Sequence, residues 1–439
     1  MAAYLSRLHH ISLHVSNVDK IAHDLVSKFK FDLFAARLTG RSRQLAFRKG
    51  AAVFVVNERS KQPTLRLNGE LAKYSPDPNR DNVGKCDKDK YMKCLYDVSP
   101  QYSVDTACNV CFEVEDVERS FKALRDQGCD FLVPPTAVRD ERGLVTYSVV
   151  KSIVGNVCHT LIDRTKYEGS FLPGFDDIET VSNSRSCPVT HFDHITYACP
   201  RKTTPQVMQW YERLFGFQRF FIDSNEDVDE GYVLNQDGIG LRLTAMEYWK
   251  CSKAGITLPF VGKKEPDCKF VIAESLPEQG RNQVDTFLEQ HMGPGIQHIG
   301  LYTQDIVSTA HTMAEAGVQF FSPPPTYYTE VGKQQEIEEA GHNPQMLAQH
   351  GILLDTDLRQ DPSPHTASSE SRRYLLQVFT KPIFAEDTFF LELIERRGAS
   401  GFGEGNIRAL WRSVQAYMEH ERGESQGEST PKNVQTAQR

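Results

Sequence analysis

The chain has 439 residues, enough for two or three domains with ample cores, and its 39% hydrophobic and 25% charged residues are those of an ordinary folded protein. A formal charge of −8 leaves no basic surplus for a counterion-releasing nucleic-acid face. No apolar run reaches the about 18 residues that span a bilayer and no secretory h-region opens the chain, so neither a transmembrane nor a secreted protein is expected.

The first predicted strand is LHHISLHV at 8–15, which leaves no room before it for a cleavable presequence. A stretch rich in Lys, Asp, Asn and Pro at 62–103 is expected to be a surface loop or a disordered excursion. Residues 109–135, NVCFEVEDVERSFKALRDQGCDFLVPP, read as a strand, a helix opened by Asp116, then Gly128, a second strand and Pro134. VCHTLIDR at 157–164 closes this half, giving a first domain over 5–165 and a linker over 166–190. The second domain, 191–418, opens with FDHITYAC at 192–199. Residues 298–324, HIGLYTQDIVSTAHTMAEAGVQFFSPP, then repeat the 109–135 pattern without a gap, with Asp305, Gly317 and Pro323 at the matching places. A second polar excursion spans 357–373, FFLELIER at 389–396 closes the half, and a disordered tail is expected over 419–439. The ten cysteines scatter through apolar segments and are expected to be reduced and buried. Cys108 and Cys111 lack a second CxxC or a His pair that would complete a zinc site.

Comparing the halves position by position separates them chemically. The second carries His194, His298 and Glu392 where the first carries His10, Asn109 and Thr160. Two imidazoles and one carboxylate are the donor set of a facial triad, which holds a first-row metal on one face and leaves positions open. Asn and Thr cannot supply that set, so the second half is expected to bind the metal and the first to be structural. A single strand histidine is more often a hydrogen-bonded core residue than a ligand. The three together weigh differently, because Glu392 lies on the otherwise apolar strand TFFLELI, where a buried carboxylate needs a positive partner.

The paired arrangement resembles the vicinal-oxygen-chelate superfamily, which implies an α+β fold of paired βαβββ modules in two open barrels, each curled around a cup. The segments FDHITYACP, GPGIQHIGLYTQDI, YLLQVFTKP, TFFLELIERRG and GFGEGNIRALW follow the order and spacing of the 4-hydroxyphenylpyruvate dioxygenases, a resemblance covering about residues 5 to 418. It implies Fe(II) held by His194, His298 and Glu392, with open positions for a 2-oxo acid substrate and O2. It further implies Gln283, Gln297 and Gln377 as pocket carboxamides and Phe379 and Phe402 as pocket aromatics. The helix bearing Ile407, Leu410, Trp411, Val414 and Met418 becomes a gate over the pocket, or alternatively a permanently packed helix.

The departures from that family concern the ring of the substrate. Ile407 stands where homogentisate-forming members carry an aromatic residue, Leu243 in LRLT where they carry a polar one, and Ser275 about where they carry an asparagine. A ring held less firmly can present its benzylic carbon instead of C1, and a shift of about an ångström redirects a positioned reaction. The expected product is therefore 4-hydroxymandelate, feeding tyrosine-derived synthesis of the coenzyme Q head group. Homogentisate formation, a catalytically silent metabolite-binding relative and a glyoxalase-type zinc isomerase are the competing readings. The resemblance implies a mitochondrial location, with cytoplasm the alternative, and is compatible with a homodimer.

Overall fold

The computed structural model describes residues 3, 5–39, 42–59, 94–179, 187–222, 226–236, 239–248, 268–329, 331–356, 373–399, 401–403, 405–407 and 409. The first half forms one sheet from β1 (Leu5–Val15), β2 (Asp32–Leu38), β3 (Arg43–Lys49), β4 (Ala52–Glu58), β5 (Thr106–Val114), β6 (Phe131–Asp140), β7 (Gly143–Lys151), β8 (Cys158–Tyr167) and β9 (Asp176–Asp177), in the spatial order 6-7-8-5-1-4-3-2-9. The second forms another from β10 (Val189–Ala198), β11 (Phe217–Phe220), β12 (Tyr232–Gln236), β13 (Ile239–Tyr248), β14 (Lys269–Ser275), β15 (Gly295–Thr303), β16 (Leu353–Thr356), β17 (Tyr374–Phe379) and β18 (Phe390–Arg397). Its order is 11-13-14-10-15-18-17-16, with β12 on β13. Each sheet joins two modules, each a strand, a helix and a run of further strands, through an antiparallel pair at its centre, β1 with β5 and β10 with β15.

These central strands are buried on both faces, which explains why they read as nearly continuous apolar runs. Their registers correspond. Ser12 faces Asn109 and His10 faces Cys111 in the first half, while Thr196 faces His298 and His194 faces Gly300 in the second. Both pairs carry the same irregularity just before the histidine, between Leu8 and His10 and between Phe192 and His194. A bulge there lets two consecutive side chains meet, which regular alternation forbids.

Asp116 and Asp305 cap their helices as expected, accepting from the backbone N–H of Arg119 and Ser308 at 2.9 and 3.0 Å. The halves diverge after that. The strand expected beyond Gly317 is reduced to one isolated bridge, Phe320 with Thr380, and the helices Thr326–Thr329, Val331–Glu339 and Pro344–Ala348 follow. Pro323, Pro324 and Pro325 supply no ladder donors, whereas Pro134 and Pro135 are tolerated in β6 because it is an edge strand.

Two boundaries differ from the sequence reading. Residues 166–177, read as linker, return to the first sheet, where β9 pairs with β2 and Phe171, Leu172 and Phe175 are buried. The described end of the 62–103 stretch is not a surface loop, since Tyr96 is 1% exposed and packs on Tyr147 with ring centroids 4.8 Å apart. The rest of that stretch through 93, the excursion at 357–372 and the tail at 419–439 lie outside the described residues. Leu410, Trp411, Val414 and Met418 of the expected gate fall there too. Among the described residues no helix is long and apolar enough to cross a membrane. The two halves share one core, with Phe54 against Phe192 at 5.0 Å and Phe112 near Phe270 at 6.2 Å.

Candidate metal centre

His194 from β10, His298 from β15 and Glu392 from β18 converge inside the second cup. One ligand atom from each lies within 4.8 Å of the others, and all three residues are buried. Glu392 Oε2 is 3.0 Å from His194 Nε2 and 3.7 Å from His298 Nε2. Two features of the strands make this convergence. His298 pairs with Phe390 and Gly300 with Glu392 in the parallel β15–β18 ladder. Gly300 leaves the space that the His194 ring occupies, since a Cβ there would lie 2.4 Å from the imidazole.

A second layer of groups fixes the ligands. His194 Nδ1–H donates to Asp193 at 2.9 Å, and Arg396 donates to both oxygens of Asp193 at 2.7 and 2.8 Å. This assigns Nε2 of His194 to the centre, the usual orientation for a metal-binding histidine held by a carboxylate. Glu392 is oriented from its other oxygen, Oε1, which accepts from Gln377 Nε2 at 3.0 Å. Gln377 also donates to Phe402 O and accepts from Asn406, whose Oδ1 accepts from the Tyr327 hydroxyl at 2.8 Å. The His298 ring stacks on Phe390 with centroids 4.8 Å apart.

The protonation states follow from this packing. Burial drags the His194 pKa down, but the Glu392 charge and the hydrogen bonds to Asp193 and Glu392 outweigh it and hold the imidazole up at about 9. Burial, reinforced by the neighbouring His194 charge, lowers His298 well below its ordinary value and keeps it neutral. Burial would raise the Asp193 carboxyl, yet the Arg396 guanidinium holds it well below the usual range. His194, His298 and Glu392 would hold a divalent cation, whose charge would take over the stabilising role that the protonated His194 plays beside Glu392. The donor set fits such a cation: a buried carboxylate that costs several kcal/mol unpaired, two imidazoles, and no thiolate.

The cavity beside these ligands, of about 40 Å³, is lined by Leu243, Gln377, Phe379, Phe402 and Ile407 from the sequence-predicted pocket, and also by Thr196, Ile222 and Val271. Gln377 reaches the cavity, but its amide is engaged in holding Glu392. The Phe402 ring lies edge-on to His194 at 5.5 Å and Phe379 lies 5.4 Å from His298.

Three predicted pocket residues are not on this wall. Gln283 is buried at the first turn of helix Gln283–Gln290, where its Oε1 accepts from Val284 N–H. Ser275 accepts from Arg201 at 2.8 Å and donates to Asp285 at 2.7 Å, a role in joining β14 to that helix. Gln297 is buried beside His298, its Oε1 3.4 Å from Nδ1. Sequence matching placed all three by linear position; the structure holds Gln283 and Ser275 at the β14–helix junction and Gln297 against the His298 ring, not on the cavity wall. Conversely Asp193, Arg396, Asn406 and Tyr327 were missed. An Asp directly before the ligand His and an Arg closing the LIER strand were the available signals.

The matching positions of the first half are closed by hydrogen bonds. Asn109 Nδ2 donates to Thr160 Oγ1 at 2.9 Å, Thr160 N–H donates back to Asn109 Oδ1 at 3.1 Å, and Thr160 Oγ1–H donates to Tyr96 O at 2.8 Å. Cys111 stands where Gly300 stands in the other half. The sequence reading gave this cysteine no histidine pair, but strand pairing brings His9 and His10 beside it. The two rings bond to each other, Nδ1 to Nδ1, at 2.7 Å, and burial pushes the Cys111 thiol well above its ordinary pKa.

Two curled sheets of paired modules, one cup holding a two-histidine, one-carboxylate group, define a protein of the Glyoxalase/Bleomycin resistance protein/Dioxygenase superfamily, whose model matches residues 191–344. The chain is 41% identical over 421 residues to the 4-hydroxyphenylpyruvate dioxygenase-like protein of Rattus norvegicus, covering 94% of this chain and 98% of that one. It is 40% identical over 419 residues to the human protein of that name, with the same coverage. The 4-hydroxyphenylpyruvate dioxygenase of Yarrowia lipolytica is 31% identical over 323 residues, covering 71% of this chain and 72% of that one. The chain belongs to the 4-hydroxyphenylpyruvate dioxygenase family. Its fold is shared by a substituted form of 4-hydroxymandelate synthase from Streptomyces coelicolor, with a TM-score of 0.64 and 21% identity over 94% of this chain and 99% of the other.

Proposed function

We propose that the chain is an Fe(II)-dependent dioxygenase that converts 4-hydroxyphenylpyruvate and O2 to 4-hydroxymandelate and CO2. The observation that carries the reading is the second cup itself: a buried His194, His298 and Glu392 beside a cavity whose wall includes Leu243 and Ile407. Fe(II) held by these ligands would supply a Lewis-acidic redox centre able to chelate a 2-oxo acid and activate dioxygen. The protein groups do the rest. Gln377 and Asp193 fix the donors, and the buried wall excludes water from the reacting carbons. Phe379 and Phe402 offer faces to an aryl ring, while Ile407 and Leu243 give the ring's phenol no hydrogen-bond partner.

The cavity beside the triad is tight, about 40 Å³, and Phe402 and Ile407 form part of its wall. Both lie on the segment after β18, where Gly403 has φ of 72°, a conformation that favours glycine. We place the reaction in the mitochondrion, on the route from tyrosine to the coenzyme Q head group, in keeping with the family resemblance. Loss of mitochondrial import on removing residues 1–30 would support that placement, and unchanged import would count against it.

The two candidate products are isomers, so the test separates them by chromatography rather than mass. Purified protein loaded anaerobically with Fe(II), then given 4-hydroxyphenylpyruvate and O2, should yield 4-hydroxymandelate, and Ile407→Phe should shift the ratio towards homogentisate by about tenfold. Homogentisate as the main wild-type product would overturn the product assignment. Absence of both products from iron-loaded protein would favour a metabolite-binding role.

A further inference from the structure

A second cavity is larger than the one beside the triad. It measures about 320 Å³ and lies between the two halves, walled by Phe112 and Phe171 from the first and by Phe192 and Phe270 from the second. Its polar wall is cationic, with Arg7, Arg48 and Arg164 lining it and His9 beside them. Internal repetition sets Arg164 apart from the other two.

Arg164 closes the strand VCHTLIDR as Arg396 closes FFLELIER, so the two arginines are equivalent. Arg396 grips the Asp193 carboxylate with two hydrogen bonds, at 2.7 and 2.8 Å. The residue equivalent to Asp193 is His9, a neutral imidazole whose pKa is lowered by burial and further by the charges of His10, Arg164 and Arg7. Arg164 is thus left without the carboxylate its counterpart holds. Among the described residues its closest ion-pair partner is Glu113, at 4.0 Å, and that carboxylate is engaged with Arg7 at 2.7 Å. The guanidinium donates to Gly169 O at 2.8 Å and keeps other donors on the cavity wall.

We infer that this inter-half cavity is a second small-molecule site, taking an aryl carboxylate whose carboxylate is gripped by Arg164 and whose ring lies among Phe112, Phe171, Phe192 and Phe270. The carboxylate restores to the first half the pairing that Asp193 supplies in the second. The volume suits a one-ring or two-ring acid, and a bidentate guanidinium contact supplies both charge and direction.

Phenylacetate is the probe, titrated into the full-length chain and followed by ligand-observed NMR and calorimetry. Using the Glu392→Ala protein alongside wild type separates this site from the triad cup. The account requires phenylacetate to bind both proteins alike, Arg164→Gln to weaken it about tenfold or more, and the neutral isostere phenylacetamide to lose as much. Ala51→Trp fills the cavity from an exposed position with Arg164 intact, so it decides the matter if Arg164→Gln fails to fold, and it too should abolish binding. The inference is overturned if acid and amide bind alike, if Ala51→Trp leaves binding unchanged, if binding vanishes only in Glu392→Ala, or if no binding occurs up to about 10 mM. Tighter binding of decanoate than of phenylacetate would overturn the aryl assignment.

Discussion

The two cups have the same strand order at their centre, the same bulge before the same histidine and an arginine at the same strand end, yet they have become opposites. In the second, Gly300 makes room for His194, Asp193 turns its ring, and His298 and Glu392 close on it. In the first, Cys111 fills the glycine's place, His10 bonds to His9, and Asn109 and Thr160 satisfy each other. The interior of the first cup is packed by Phe34, Tyr96, Tyr147, Phe171 and Phe175. A backbone that can position three ligands is thus equally able to bury an ordinary hydrogen-bonded core, and a few side chains decide between the two.

The sharpest way to break this comparison is to remove a ligand. His298→Ala or Glu392→Ala should eliminate iron binding and lower turnover by about a thousandfold or more, while Asn109→Ala leaves iron binding unchanged. Gly300→Ala is next. A methyl 2.4 Å from the His194 ring must displace it, and iron affinity should fall about 10- to 100-fold, measured by competition with a chelator. Asp193→Asn should weaken iron about tenfold and also destabilise the fold by about 3 kcal/mol, because Arg396 remains buried without its carboxylate. The smallest effect belongs to the first half. Thr160→Val removes the partner of Asn109 and should cost about 1–2 kcal/mol in chemical denaturation with no change in iron content.

Much of this was legible in the sequence because the repeat supplied an internal alignment. Asp116 and Asp305 marked the helix starts, and the three ligand positions followed from comparing strands of one chain with each other. What stayed hidden depends on contacts between distant strands. A bulge has no residue signature, so the meeting of Asp193 with His194, and of His9 with His10, could not be read from alternation. The direction of Gln283 and Ser275 depends on how helix Gln283–Gln290 seats on β14, which linear spacing does not encode. Tyr96 and Phe171 looked like parts of a loop and a linker because each lies in a short apolar stretch next to a polar run, too short to read as a strand or helix, although those few side chains were enough to plug a cup.

The most direct test is an anaerobic Fe(II) titration of the full-length chain with metal content read by elemental analysis, run on wild type, Glu392→Ala and a His10→Ala, Cys111→Ser double variant. The account predicts one iron per chain in wild type and in the double variant, and none in Glu392→Ala. Two irons in wild type, or iron retained by Glu392→Ala and lost from the double variant, would contradict it.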